Sequence, residues 1–178
     1  SLRSGVAYDE KRVDLHVFST VSEVTHFIAS LDIGADTLFY RGHASANYFL
    51  QPSLMRNERL HGNESRLYHE LLINCPDAFA HCHSHLEKLV KMQHYGLPTR
   101  LLDITRNLLV ALYFACESRP DELGELILLT AEQNEIKYPQ SDTISILASL
   151  PICTTEEQAE IREQAVKAKI DDTLSDAV

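Results

Sequence analysis

The sequence lacks features that would assign it at once to a secreted or a membrane class. Its four cysteines, Cys75, Cys82, Cys116 and Cys153, form no CxxC pair and no dense framework, which is typical of reduced thiols. No apolar run approaches the roughly 20 residues of a spanning helix, and residues 1–10 lack the apolar centre of a signal peptide. We therefore predict a cytoplasmic protein with no membrane partner.

Basic residues are also few. The 178 residues include 16 Lys and Arg against 26 Asp and Glu, which gives a formal net charge of −10 with His taken as neutral. Because each phosphate contact needs a cation, this balance argues against a general electrostatic hold on nucleic acid. The partner that we expect instead is a dinucleotide or another anionic small molecule, bound at a locally basic site.

What is present is typical of one globular domain. The composition, 44% hydrophobic and 24% charged, suits a chain that buries one core. We predict an α+β fold with a small central mixed or antiparallel sheet and packed helices. Residues 1–12 are expected to be a flexible N-terminus or a cloning remnant, residues 13–150 the domain, and residues 151–178 a C-terminal helix and tail, either of the same domain or of a truncated element.

Residue patterns place the elements of this domain. Strands are predicted at 13–18, 37–42 (broken by its glycine), 99–104, 124–129 and, more weakly, 143–147. Helices are predicted at about 21–34, 64–72, 77–93, 107–115 and 154–170. Thr20 and Glu23 form a capping box, and the last eight residues are expected to fray. The helix at 107–115 is apolar nearly all round, so we predict that it is buried.

One segment, residues 92–107, carries the densest set of polar side chains. Its members surround a tight turn and a short strand, and they are Gln93, His94, Tyr95, Thr99, Arg100, Asp103, Thr105, Arg106 and Asn107. Free amides and the dipole of a helix N-terminus favour an anionic ligand at such a place. The alternative is structural: Asp103 pairs with Arg100 or Arg106, and Thr105 or Asn107 only caps the helix.

A second set, Phe39-Tyr40-Arg41-Gly42-His43, lies at the end of a predicted strand. Arginine beside a glycine suits bidentate recognition of phosphate or carboxylate, because glycine lets a ligand approach the backbone. The structural alternative is an edge-strand arginine that pairs with a surface acid.

These two segments together resemble the FRG domain, named after its Phe-Arg-Gly triplet. The resemblance covers about residues 20–130 and rests on Phe-Tyr-Arg-Gly-His at 39–43, Gln-Pro-Ser-Leu-Met-Arg at 51–56, Gln-His-Tyr-Gly-Leu-Pro-Thr-Arg-Leu-Leu-Asp at 93–103, then Thr105, Asn107 and Val-Ala-Leu-Tyr-Phe-Ala at 110–115. The chain has no tryptophan, and Ile104 stands where the family usually has one; Leu108 stands where it has proline. A later Arg…Gln-x-Gly-x-Phe element is not visible, which predicts a fragment or a shortened variant.

The family implies a fold more readily than an activity, so we add an analogy with ADP-ribosyltransferases. Those enzymes hold NAD with an Arg or His at the end of a first core strand. A Ser/Thr-bearing strand and a helix that packs as Ala-x-x-Phe-Ala follow, and a Glu or Gln completes catalysis. Arg41, residues 99–105 and residues 112–115 reproduce the first two parts in order. The analogy implies an ADP-ribosyltransferase-like core with NAD as substrate.

This chemistry assigns roles to the candidates. Cleavage of the nicotinamide bond passes through an oxocarbenium-like state, so the site needs cations for the pyrophosphate, an aromatic surface and a carboxylate or amide near the ribose. Arg41 and Arg100 would supply the cations, and Tyr95 or Tyr40 the surface. The cofactor site would be completed by Gly42, His43, Thr99, Thr105 and Asn107. Glu125 would be the catalytic acid, although a Glu at a strand start is more often a solvated edge residue. Gln93, His94 and Asp103 are the alternative reactive cluster.

The histidines at 81, 83 and 85 raise the question of a metal. His81 and His85, at i and i+4, would share a helix face, and imidazole is a ligand for zinc or nickel. A zinc site needs three or four ligands from fixed elements, and His69 and His94 would have to come from elsewhere. We expect a polar helix face and no metal.

Three functions follow in order of preference. The first is binding of NAD or a related nucleotide with transfer of ADP-ribose to a macromolecular acceptor, as in a toxin, an effector or a phage-defence protein. The second is a non-catalytic module that senses an anionic ligand or mediates an interaction. The third is a metal-dependent hydrolase.

Overall fold

The computed structural model describes residues 16–175, and the side chains only as far as residue 168. The chain divides into two compact units, Ser1–Gly34 and Ala35–Val178. The described residues form a mixed α+β structure with a two-stranded antiparallel sheet, as the α+β prediction requires. None of the helices in this part of the chain is both long enough and apolar enough to cross a membrane.

The described part of the first unit contains one helix, α1 (Val21–Ser30). The Thr20 hydroxyl accepts from the amide of Glu23 at 3.2 Å, and the Glu23 carboxylate accepts from the amide of Thr20 at 3.2 Å, so the predicted capping box is confirmed. The helix ends before Gly34, which lies in a turn with φ of +57°. Of the strand predicted at 13–18, residues 13–15 lie outside the described residues and residues 16–18 form no strand.

The sheet in the second unit pairs β1 (Thr37–His43) with β2 (Glu125–Ala131). The register runs from Thr37 opposite Ala131 to His43 opposite Glu125. The strand at 37–42 therefore continues through its glycine instead of breaking there. The strand predicted at 99–104 is wrong, because residues 99–104 belong to no strand. The next residue, Thr105, makes one isolated bridge, in which its backbone and that of Tyr40 exchange hydrogen bonds of 2.7 and 2.8 Å.

Helix α6 (Leu108–Cys116) packs on one face of this sheet, backbone against backbone. A methyl group at Gly42 would lie 1.8 Å from the carbonyl oxygen of Ala111, and one at Gly124 would lie 2.1 Å from that of Ala115. Only residues without a side chain allow so close an approach. The space beside Gly42 in β1 is therefore filled by the backbone of α6.

The prediction that α6 is buried all round is wrong. Its two alanines, Ala111 and Ala115, are buried, whereas Leu109, Tyr113 and Phe114 are each more than half exposed. The helix approaches the sheet through its smallest side chains, so the larger apolar side chains point away from the contact. Of the two predicted cap candidates, Thr105 and Asn107, it is Asn107 that caps the helix, since its side-chain oxygen accepts from the amide of Leu109 at 3.0 Å.

The remaining elements are helical. They are α2 (Glu58–His61), α3 (Glu64–Asn74), α4 (Pro76–Phe79), α5 (His85–His94), α7 (Asp142–Ser149) and α8 (Thr155–Ser175), with 3₁₀ turns at Ser53–Arg56 and Leu150–Ile152. Their core consists of Tyr68, Phe79, Leu89, Met92 and Ala148. This helical core holds the segment that follows α5 beside the sheet.

Three predictions about these helices need correction. The helix predicted at 77–93 is two helices, because Ser84 and Glu87 form a capping box that starts α5 anew. Residues 143–147 belong to α7, whose first turn is capped by the Ser141 hydroxyl, and not to a strand. The C-terminal helix is confirmed but continues to Ser175, where fraying was expected; residues 176–178 lie outside the described residues.

Candidate functional site

Arg41 and His43 lie on the face of β1 that is opposite to the contact with α6. Side chains alternate along a strand, so Gly42 faces the helix and its two neighbours face away. The register places Glu125 directly across from His43, on the same face of the sheet. We call these three residues, Arg41, His43 and Glu125, the Arg41 face.

Two hydrogen bonds orient the Arg41 guanidinium. Its Nε donates to His43 Nε2 at 3.1 Å, and its Nη1 donates to the main-chain oxygen of Asp103. A guanidinium has only donors, so His43 Nε2 must present its lone pair, and the proton of the neutral ring is assigned to Nδ1. Arg41 thus fixes the tautomer of its neighbour.

His43 Nδ1 lies 3.3 Å from Glu125 Oε2, within ion-pair distance but without the alignment of a hydrogen bond. The His43 side chain is 3% exposed and the Glu125 side chain 41%. Burial is the largest cause of a lowered pKa at His43, and the charges of Arg41 and Arg56 lower it further, whereas Glu125 raises it. Burial and the two cations prevail, so the ring is neutral near pH 7 and Glu125 faces an imidazole N–H.

Arg56 is a cation of this site that the sequence reasoning missed. It ends the 3₁₀ turn after Pro52, and its Nε and Nη2 donate to the main-chain oxygen of Gln51 at 3.1 and 2.9 Å. Its charge lowers the pKa of both Arg41 and His43, so it adds to the positive potential at the Arg41 face. The signal was available, because Arg56 ends the 51–56 string on which the family resemblance rests.

Asp103 connects Arg41 to a polar network. Gln93 Nε2 donates to Asp103 Oδ2 at 2.7 Å, and the Gln93 oxygen accepts from the hydroxyl of Thr99, which is buried. The charge of Asp103 also opposes the lowering of the Arg41 pKa that burial causes. Four predicted site residues, Arg41, Gln93, Thr99 and Asp103, are therefore joined by hydrogen bonds.

Arg100 makes different contacts. Its guanidinium bonds both carboxylate oxygens of the buried Glu64, with Nε 2.8 Å from Oε1, and its Nη2 lies 3.3 Å from Gln158 Oε1. Arg100 therefore forms a structural ion pair, as the structural alternative proposed, but its partner is Glu64 and not Asp103. The role of Arg100 as a phosphate ligand stays a prediction.

Thr105 and Asn107 have structural contacts. The Thr105 hydroxyl accepts from the amide of Asn107 at 3.0 Å, and Asn107 caps α6. Tyr40 is buried, and it lies on the same face of β1 as Gly42, the face that packs against α6. Its ring therefore offers no surface to a ligand, and the prediction that Tyr40 stacks on nicotinamide is wrong. Tyr95 and His94 are exposed at the end of α5, and their ligand roles stay predictions.

The helical argument for a histidine metal site fails. His81 precedes α5, so it shares no helix face with His85, whose Nδ1 lies 2.8 Å from the Tyr68 hydroxyl. Within residues 16–175, no group of three or more His, Cys, Asp or Glu side chains is arranged to hold a metal ion.

Comparison with protein families matched the FRG domain over residues 36–123. The matched segment contains Arg41, Arg56 and Asp103, and it ends two residues before Glu125. No curated protein and no solved structure matched the chain.

Proposed function

The chain belongs to the FRG domain family, and on this premise we propose that the Arg41 face binds NAD or a related nucleotide and transfers its ADP-ribose to a macromolecule. The observation that supports this proposal is the contact of the buried His43 with Arg41 on one side and with the Glu125 carboxylate on the other. The charge of Arg56 adds to the positive potential at this site. Such an activity suits a toxin, an effector or a phage-defence protein.

The cations suit a pyrophosphate. Arg41 uses Nε and Nη1 for His43 and Asp103, and among the described residues its Nη2 makes no hydrogen bond. A planar guanidinium held at two corners is preorganised to donate to a phosphate oxygen with the third, and a second guanidinium nearby supplies the remaining charge. Gln93 and Asp103 act in this proposal as positioning residues for Arg41.

The acid suits the ribose. In the transfer, the bond between the nicotinamide nitrogen and ribose C1′ breaks with both electrons leaving on nicotinamide. The acceptor forms a bond to C1′ and loses a proton, so nicotinamide and one proton are released. Positive charge develops on the ribose, and the Glu125 carboxylate, which accepts no proton in this step, stabilises it. The neutral His43 ring lies 3.3 Å from Glu125 and leaves its negative charge uncompensated.

The test measures binding and turnover separately. We expect NAD to raise the unfolding temperature of the full chain, and nicotinamide to be released with labelling of an acceptor in a cell extract. Arg41→Ala should abolish both effects, whereas Glu125→Gln should keep binding and lower the rate of nicotinamide release by about a hundredfold or more. Arg66→Ala is the matched control, because Arg66 is a surface arginine that pairs with Glu70 on its own helix.

A second candidate, a non-catalytic module for an anionic ligand, uses the same two cations and needs no acid. It is favoured if NAD or another nucleotide binds with no release of nicotinamide and Glu125→Gln changes nothing. If NAD at millimolar concentration neither shifts the unfolding temperature nor releases nicotinamide while the protein is folded, the NAD proposal is wrong.

A further inference from the structure

A cavity of about 420 Å³ opens between the segment that follows β1 and the segment that precedes β2. One wall consists of Ser45, Asn47 and Tyr48, and the other of Arg119 and Glu122. The two walls are joined by a backbone hydrogen bond, from the amide of Ala46 to the oxygen of Leu123 at 2.8 Å. None of these residues has a part in the proposed transfer.

An aromatic ring and ionised groups face this cavity. The Arg119 guanidinium carbon lies 5.4 Å from the centre of the Tyr48 ring, and Arg119 also pairs with Glu122. The Ser45 hydroxyl is the largest cause of a lowered pKa at Glu122, and Arg119 lowers it further, so Glu122 is a carboxylate at neutral pH. The Tyr48 ring itself is partly exposed.

These groups are complementary to an adenine ring. The Arg119 guanidinium lies over the Tyr48 ring, so the two planar groups form one platform, and a base stacks on the outer face of this platform. The Glu122 carboxylate only accepts hydrogen bonds and therefore suits the exocyclic amino group of adenine, and the Asn47 amide donates to a ring nitrogen.

His43 connects the cavity to the Arg41 face. Its ring centre lies 6.0 Å from that of Tyr48, and its Nε2 lies 3.1 Å from Arg41 Nε. We propose that the cavity binds the adenine base of the nucleotide whose phosphates bind Arg41 and Arg56. The position of the phosphates rests on the proposed function, whereas the base site rests on the cavity alone.

The experiment compares ligands that differ only in the base, by calorimetry on the full chain. AMP is expected to bind about 5- to 150-fold more tightly than ribose 5-phosphate, which is the range that stacking of one base gives. Tyr48→Ala should remove this difference and Tyr48→Phe should keep it. Tyr138→Ala, at an exposed tyrosine outside the cavity, is the matched control.

Inosine 5′-monophosphate tests the hydrogen-bonding edge. It has a carbonyl oxygen where adenine has its amino group, so it should bind more weakly than AMP because that oxygen faces the Glu122 carboxylate. Glu122→Gln should reduce the preference for AMP over inosine monophosphate, since a glutamine donates as well as accepts.

The outcomes separate the two proposals. If AMP binds no better than ribose 5-phosphate, or if neither binds, the adenine site is wrong. If AMP fails this test but pyrophosphate binds, and Arg41→Ala removes the binding of pyrophosphate, the anion site at Arg41 is retained. If adenosine binds in a manner that depends on Tyr48 but Arg41→Ala has no effect on NAD, the cavity inference stands and the proposed function is wrong.

Discussion

His43 Nδ1 lies 3.3 Å from Glu125 Oε2, and the two residues are direct partners across the sheet. The other nitrogen of the ring accepts from Arg41, so a buried imidazole separates a cation from an anion. A proton added at Nε2 would displace the Arg41 hydrogen bond, which agrees with the lowered pKa of His43.

This lowered pKa makes the stability of the fold depend on pH. In the unfolded chain a histidine takes up a proton near pH 6.5, but in the folded chain His43 resists it until a lower pH. The unfolded state therefore binds more protons between these two values, and the free energy of unfolding should fall as the pH drops below about 6.5. Urea unfolding at intervals from pH 7.5 to 5 measures the effect.

His43→Gln should make this pH dependence weaker without removing it, because the pKa of His85 is also lowered, chiefly by burial and then by Lys88. His81→Gln is the control, since His81 is exposed and belongs neither to the Arg41 face nor to the lining of the cavity. An unchanged slope in His43→Gln would show that the pKa of His43 is not lowered in the folded protein.

The pair of Arg100 and Glu64 should contribute to the stability of the fold. Glu64→Gln leaves the Arg100 guanidinium, whose side chain is only 17% exposed, without its anion, and we expect a loss of about 3–5 kcal/mol in the free energy of unfolding. The exposed pair of Arg66 and Glu70 provides the control, because water screens this pair and Glu70→Gln should therefore cost far less stability than Glu64→Gln. Denaturant unfolding of both variants tests this difference; equal losses would contradict it.

Local patterns predicted the elements well where the signal was short-range. The capping box at Thr20 and Glu23, the cap at Asn107 and the apolar run of β2 are each decided by neighbouring residues, and all are present. The break between α4 and α5 had a local signal too, the pair of Ser84 and Glu87, but the apolar spacing from residue 77 onward outweighed it in the prediction.

Long-range contacts could not be predicted in the same way. Nothing near Arg100 in the sequence indicates that its partner is Glu64, 36 residues away, and not Asp103. The apolar composition of α6 shows that no face is polar, but it does not show which face meets the sheet. The hydrogen bond from Arg41 to the main-chain oxygen of Asp103 is also a long-range contact, because it depends on where the helical core positions the segment after α5.

The asymmetry of α6 gives a third prediction. Ala111→Leu adds a large side chain where the helix backbone already contacts the sheet, so it should lower the free energy of unfolding by about 1–3 kcal/mol or more. Leu109→Gln changes an exposed side chain and should stay within about 0.5 kcal/mol of the parent. A large loss in Leu109→Gln would indicate that this face of the helix is covered.

Gly42 gives the sharpest test of the packing that supports the Arg41 face. Gly42→Ala would place a methyl group 1.8 Å from the carbonyl oxygen of Ala111, so α6 must move away from the sheet, and the variant should lose several kcal/mol of stability or fail to fold. Gly62→Ala is the matched control: Gly62 has φ of −68°, the nearest atom would lie at 3.4 Å, and the change should be neutral or slightly stabilising. If Gly42→Ala unfolds at the same urea concentration as Gly62→Ala, the glycine does not serve the helix contact, and ligand approach becomes the reason for its place beside Arg41.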